Sequence, residues 1–335
     1  MQVVVDQFGF SVGKTSERLV VRNKERKPVQ EVPFFDVDDL IIASRGVTLS
    51  SDIVQICTEH GIRIFFLDHR GDPYSMLVSP SLQATVATRR AQIAAFNDHR
   101  GVHISKLFIT AKLRAQANLV KYWAKNRRDN QELQPLLLGA VKELEHKIAE
   151  LQGIDGACID DIRLKVMSAE GRGANAYWEI VKKLLPNALQ FPGREHRGAE
   201  DPVNAALNYG YGCLRTEVTK AVLLAGLEEC AGFLHVDRSG RPSFVLDFIE
   251  EFRQSVVDRT VVSMLTKGFT PVMGEEGLDR DSKAAISGAI RERLESKDRF
   301  EGKKVQIKTI IQRQANHLAT YFRGEWEYKP FVWSW

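Results

Sequence analysis

Residues 62–99, IRIFFLDHRGDPYSMLVSPSLQATVATRRAQIAAFNDH, hold the change of period that decides the fold. Up to Asp68 the apolar residues run in a short β-branched and aromatic block, the signature of a strand. From Thr85 onward they recur at three- and four-residue spacing, which is the period of a helix.

Working back from that point, Gln2–Asp6, Arg18–Arg22, Val29–Val32, Asp39–Ala43 and Ile62–Asp68 read as strands. One helix interrupts them. Ser50, Ser51 and Asp52 are its N-cap candidates, Ile53, Val54 and Ile56 its apolar positions, and Gly61 its stop. Working forward, segments 85–99, 102–127, 130–152, 157–185, 201–228, 242–267, 279–296 and 302–323 all carry helical periodicity. The longest interruption, QFPGREHRGAED at 190–201, reads as an exposed loop. The expected class is α+β: a small β-rich domain over 1–84 and a larger all-α domain over 85–335. Strands do not alternate with helices past residue 80, which argues against a doubly wound sheet.

With 44% hydrophobic and 27% charged residues, the chain has the composition of a folded globular protein. It has no apolar run long enough for a membrane span and no secretory leader pattern, so a cytoplasmic protein is expected. The four cysteines, Cys57, Cys158, Cys213 and Cys230, never form a CxxC pair, which argues against zinc and against a disulfide framework. The net charge of +4 says little, because nucleic-acid binding depends on local basic surface. Gly13-Lys14-Thr15 mimics the end of a phosphate-binding loop, but the required earlier glycine is Phe8 and ERLVVR (17–22) reads as a strand. A tight turn between strands explains Gly13 better.

Three segments carry chemistry. SAEGRGANAYW (168–178) puts two glycines beside Glu170 in helical surroundings. Each costs up to about 1 kcal/mol against alanine, tolerable where a helix or a phosphodiester strand approaches closely. The pattern alone favours a simpler reading, a helix start with Glu170 in its first turn. GFLH (232–235) puts His235 after a buried-looking Phe-Leu pair, where a histidine is more often structural than a ligand. PSFVLDFIEEFR (242–253) places Asp247 and Glu250 on one face of an apolar helix, where a carboxylate needs a cation, a donor or a metal. Glu251 is expected to face water or pair with Arg253 or another neighbour. Together, two carboxylates and an imidazole form a mixed oxygen and nitrogen set suited to Mg2+ or Mn2+. Spacing does not by itself bring the three segments together.

These segments, with DPVNAALNYGYGCL (201–214), RRAQ (89–92) and the closing KPF (329–331), resemble the CRISPR-associated integrase of the spacer-acquisition machinery, the large subunit of that adaptation complex. The resemblance spans essentially the whole chain. It implies a β-rich N-terminal domain that drives homodimerisation and a helical catalytic domain. It implies a divalent ion, Mg2+ or Mn2+, on Glu170, His235 and Glu250. Asp247 would be a fourth catalytic residue that orients His235 or a metal-bound water. The implied reaction is phosphoryl transfer on DNA: a 3′-hydroxyl of a short fragment attacks a phosphodiester at each end of a repeat. A small ferredoxin-like CRISPR protein bridging two dimers is the implied partner. The alternatives are a non-catalytic DNA-binding architectural dimer and a phosphodiesterase acting mainly on RNA or branched repair intermediates.

Candidate DNA contacts are Lys125, Arg127 and Arg128 in KYWAKNRR (121–128), Tyr209 and Tyr211 in NYGY, and Arg241. Arg194, His196 and Arg197 in the loop, and Lys303, Lys304, Lys308 and Arg313 nearer the end, are similar. Core packing is the alternative for the tyrosines, and a solvated helix end for the 121–128 cluster. Trp326, Tyr328, Phe331, Trp333 and Trp335 make an aromatic tail that either folds back on the helices or meets a partner.

Overall fold

The computed structural model describes residues 1–68, 71, 73–77, 86–195, 200–275 and 277–334. Its contacts divide into two units, Met1–Gln83 and Ala84–Trp335.

The first unit holds two four-stranded sheets. In one, β1 (Gln2–Val5), β5 (Asp39–Ile42) and β7 (Arg63–Leu67) run parallel and β8 (Pro73–Leu77) closes the edge antiparallel. In the other, β4 (Pro28–Pro33), β3 (Arg18–Arg22) and β2 (Ser11–Thr15) form an antiparallel meander, with β6 (Thr48–Leu49) added parallel to β2. Helix α1 (Ser51–Glu59) leads from β6 of the second sheet to β7 of the first, and Ser50 caps it by accepting from the Ile53 N–H at 3.3 Å. Alternate residues of β1, β3, β5 and β7 fill one core with Phe34, Ile53 and Cys57. Gly13 sits inside β2 opposite Val20, not in a turn. The reversal falls just after it, where Ser16 takes φ +51°. SVGKT has too little β-branched character to signal a strand alone, and pairing with LVV of β3 supplies the difference.

In the second unit the expected helices appear in order. They are α2 (Val86–Ala95), α3 (His99–Lys125), α4 (Leu133–Gln152), α5 (Ile159–Leu184) and α6 (Pro202–Leu224). After them come α7 (Ser243–Phe248), α8 (Arg259–Thr266), α9 (Arg280–Glu295) and α10 (Ile307–Phe322). Asp201 caps α6 through the Val203 and Asn204 N–H groups, with Pro202 in the first turn. Helices α3, α4 and α5 pack on one another, and α6 packs on α9 and α10. The unit also contains two small hairpins, β9 (Met273–Gly274) with β10 (Gly277–Leu278), and β11 (Lys297–Phe300) with β12 (Lys303–Gln306). The segment read as helix from 302 thus begins as a strand.

The segment read as one helix over 242–267 is broken. A 3₁₀ turn at Ile249–Glu251 and a π turn at Gln254–Asp258 separate α7 from α8. Such irregular turns re-aim side chains, and this one sends Asp247, Glu250 and Glu251 to three different neighbours. The aromatic tail folds back: Tyr328, Phe331 and Trp333 are buried, while Trp326 remains 72% exposed. Trp335 lies outside the described residues.

Candidate active site

Helices α3 and α5 cross where Gly173 lies against Leu113. A Cβ on Gly173 would come within 2.6 Å of the Leu113 side chain, so close packing is what this glycine serves. A Cβ on Gly171 would meet nothing within 4 Å, and this glycine lines a pocket. Both lie in the middle of α5 and neither marks a helix start. The crossing sets Glu170 of α5 beside Lys112 of α3, whose Nζ is 2.5 Å from Glu170 Oε1. The same Nζ is 2.8 Å from Glu250 Oε2 on the 3₁₀ turn. One ammonium thus sits between two carboxylates drawn from separate elements. Burial alone would raise the Glu250 carboxyl, yet Arg253 and Lys112 hold it down at about 2. Burial likewise opposes the charge on Lys112, and the two glutamates reverse that and raise its pKa.

His235 is held from its other side. The fully buried carboxylate of Asp247 accepts backbone N–H groups from Phe233 (2.6 Å), Leu234 (3.0 Å) and His235 (3.1 Å), and lies 2.6 Å from His235 Nδ1. An ionised partner there makes Nδ1 the protonated nitrogen and leaves the Nε2 lone pair available. Gly232 is needed in this loop, since a Cβ would meet Ser243 Cβ at 2.6 Å. Gln92 of α2 anchors the loop's start. Its Nε2 donates to the Glu228 and Ala231 carbonyls, and its Oε1 accepts the Glu228 N–H at 2.7 Å.

Beside Glu170 opens a pocket of about 140 Å³, lined by Lys112, Gln116, Trp178, Arg194, Tyr211 and Arg253 among others. The Tyr211 ring lies between two guanidiniums, Arg194 at 5.3 Å and Arg253 at 4.9 Å, and Arg194 also covers Trp178 at 5.7 Å. At the hydroxyl end of the ring, Asp258 accepts hydrogen bonds from the Tyr177 hydroxyl (2.9 Å) and the Tyr211 hydroxyl. Burial pushes the Asp258 carboxyl up. Gln116 is fully buried, and among the described residues neither polar atom of its carboxamide has a partner.

Glu170 and Glu250 meet on Lys112, Asp247 contacts His235, and His235 is near enough to Glu250 to help hold its carboxyl down. Among the described residues, no three His, Cys, Asp or Glu side chains stand as a ready-made metal centre. Two carboxylates nevertheless converge on one cation, and Glu250 Oε2 is buried with no hydrogen bond of acceptable geometry, so the donors suit a hard divalent ion.

Of the alternatives expected for Glu251, pairing with another neighbour is the one that holds. Glu251 is fully buried, and neither faces water nor pairs with Arg253. It accepts hydrogen bonds from the Tyr328 hydroxyl, the Phe331 N–H (3.0 Å) and Gln314 Nε2 (3.3 Å). Burial lifts its carboxyl to about 8 despite those donors.

The DNA-contact candidates are dispersed. Tyr211 is buried in the pocket wall, and Tyr209 is half-buried and packed on the core. Arg241 is half-buried in the turn before α7. Lys125 and Arg128 are exposed, and Arg127 borders a separate groove of about 540 Å³ with Tyr122, Arg259 and Lys267. At about 1.5 Å rise per residue, this end of α3 lies about 20 Å from Lys112. Arg194 joins the pocket, while His196 and Arg197 lie outside the described residues. Lys303, Lys304 and Arg313 are exposed and Lys308 half-buried.

Lys112 and Gln116 were not singled out from sequence. Their signal lies in α3, where Phe108, Lys112, Ala115, Leu119 and Trp123 occupy one helical stripe, and a lysine in an apolar stripe demands partners.

The comparisons with known proteins agree across this chain. The CRISPR-associated endonuclease Cas1 1 of Archaeoglobus fulgidus is 36% identical, with 100% of both chains covered. Among solved structures, a casposase bound to its integration product superposes with a TM-score of 0.80 at 22% identity, covering 97% of this chain and 91% of the other. A CAS1 protein from Thermotoga maritima gives 0.79 at 16% identity, covering 99% and 100%. The family model described as "CRISPR associated protein Cas1" matches residues 3–277, and with the full-length relative it establishes that the chain belongs to the Cas1 family.

Proposed function

We propose that this protein is a divalent-metal-dependent DNA endonuclease and integrase, which inserts short foreign DNA fragments into a CRISPR repeat array by phosphoryl transfer from a 3′-hydroxyl. The observation that carries this reading is the convergence of Glu170 and Glu250 on one buried cationic centre next to a histidine oriented by Asp247. The names of the relatives fit it, one an endonuclease and one a casposase bound to an integration product.

Glu170, Glu250 and His235 Nε2 are the groups that would hold Mg2+ or Mn2+. When bound, the ion supplies charge neutralisation at phosphorus and a more acidic attacking hydroxyl. The protein does the positioning. Asp247 fixes the His235 ring, and Arg253 braces Glu250 from 3.4 Å. Arg194 and Arg253 offer charge to a phosphodiester, and Trp178 offers a face on which a terminal base can stack. The first unit would form the homodimer, and a small ferredoxin-like protein would bridge two dimers, with the whole assembly working on DNA in the cytoplasm.

A fluorescent DNA fragment, a supercoiled plasmid carrying a repeat, and Mg2+ or Mn2+ test this directly. Wild type should join the fragment and His235→Ala should not. Joined product at an undiminished level in the variant removes the metal site, and no joining by either, with the small partner present, removes the integrase reading. The Lys112 bridge favours one other reading, a DNA-binding architectural dimer in which the ion pair merely ties three elements together. Binding without joining is its signature.

A further inference from the structure

The cation between the two carboxylates belongs to the chain itself. Lys112 Nζ is 2.5 Å from Glu170 Oε1 and 2.8 Å from Glu250 Oε2. A hard divalent ion on these oxygens would sit about 2.0–2.2 Å from them and would crowd a like charge in the same space. One of the two must leave.

The place for the lysine to go is present. Lys112 lines the pocket beside the carboxylates, and Gln116, four residues on along the same face of α3, lines it too. The Gln116 carboxamide is fully buried, and its oxygen is an acceptor without a partner among the described residues. A buried acceptor left unmatched is costly, so its position one turn from a lysine on a flexible four-carbon stem calls for a role.

We propose that Lys112 is a displaceable counter-ion: it holds Glu170 and Glu250 in register before metal binds, and metal binding drives its ammonium into the pocket, toward Gln116 Oε1. There it meets the phosphate that Arg194 and Arg253 also face. Lys112 is a positioning residue before loading and a substrate contact after it. This inference rests on the metal reading of Glu170, His235 and Glu250.

Mn2+ affinity is measured by calorimetry on the full chain, for wild type, Lys112→Met and Glu170→Ala. Mutually exclusive ligands oppose each other, so Lys112→Met should bind Mn2+ tighter than wild type, on the order of tenfold, and yet join DNA more slowly. Equal or weaker affinity in Lys112→Met overturns the proposal. A second measurement needs no variant: acylation of Lys112 in wild type, followed by peptide mass spectrometry, should quicken several-fold when Mn2+ is added. Acylation unchanged by bound Mn2+ overturns it as well. If wild type binds Mn2+ no better than Glu170→Ala, the metal reading itself fails and this inference falls with it. Tight binding with no effect of Lys112 removes only the displacement.

Discussion

The carboxylate of Asp247 lies 2.6 Å from the Nδ1 of His235 while closing a nest of three consecutive backbone N–H groups that includes the histidine's own. One side chain therefore shapes the loop and aims the ring it carries. Asp247→Asn puts an NH2 group where an acceptor is required. We expect strand transfer to fall by about 10- to 100-fold and stability to drop by about 2 kcal/mol. Urea denaturation and the joining assay read the two effects separately, and an asparagine variant with full activity would contradict the orienting role.

Glu251 sets a pH dependence. Its folded-state carboxyl is raised from 4.5 to about 8, so as pH climbs the unfolded chain gives up this proton first. The group therefore costs stability progressively from about pH 4.5 upward, and the loss is complete above about 8. Glutamine can keep all three contacts, accepting from the Phe331 N–H and Gln314 and donating to Tyr328. Glu251→Gln should raise the melting temperature at pH 8.5 and leave it nearly unchanged at pH 4.5, as followed by calorimetric scans.

The two glycines around Arg172 should respond oppositely. Gly173→Ala forces a Cβ to within 2.6 Å of Leu113, with an expected loss of about 1–3 kcal/mol. Gly171→Ala meets nothing within 4 Å and should gain up to about 1 kcal/mol of helix propensity. Denaturant midpoints of the two variants decide it.

Gln92 makes three hydrogen bonds to the segment that leads into the His235 loop. Gln92→Ala strands two carbonyls and an N–H and should cost about 2 kcal/mol. Hydrogen exchange at residues 228–235 should quicken in the variant, while that in α4 stays as in wild type.

Arg194 should contribute to DNA affinity through charge. Arg194→Ala is expected to reduce the slope of log affinity against log salt by about one, and Arg128→Ala, in the turn just past the distant end of α3, serves as the comparison. Equal slopes for Arg194→Ala and wild type would place the DNA elsewhere.

The helices were legible because each buries a stripe, and a stripe leaves a period in the sequence; α3 and α5 were found to within a few residues. The strands β2, β6 and β8 were not, because they are short or largely unburied and pairing partners supply their stability. Within the site, Asp247 and Glu250 could be named from an apolar helix carrying carboxylates. The break between α7 and α8 could not, since the sequence keeps helical spacing through Ile249–Asp258 while the backbone tightens and then widens. That break is why Glu251 turns to the tail rather than to Arg253. His235 and Glu170 gained their meaning from the resemblance, and Lys112 from the packing of α3 on α5.

The clasp on Glu251 makes the turn that carries Glu250 depend on residues far along the chain. Tyr328 and Phe331 bind the residue next to Glu250, and the Asn118 side chain donates to the carbonyl of Trp333 at 2.7 Å. A chain without residues 328–333 lacks groups that seat the turn carrying Glu250. Damage to this short aromatic segment would therefore reach the acidic centre without touching any of that centre's own side chains.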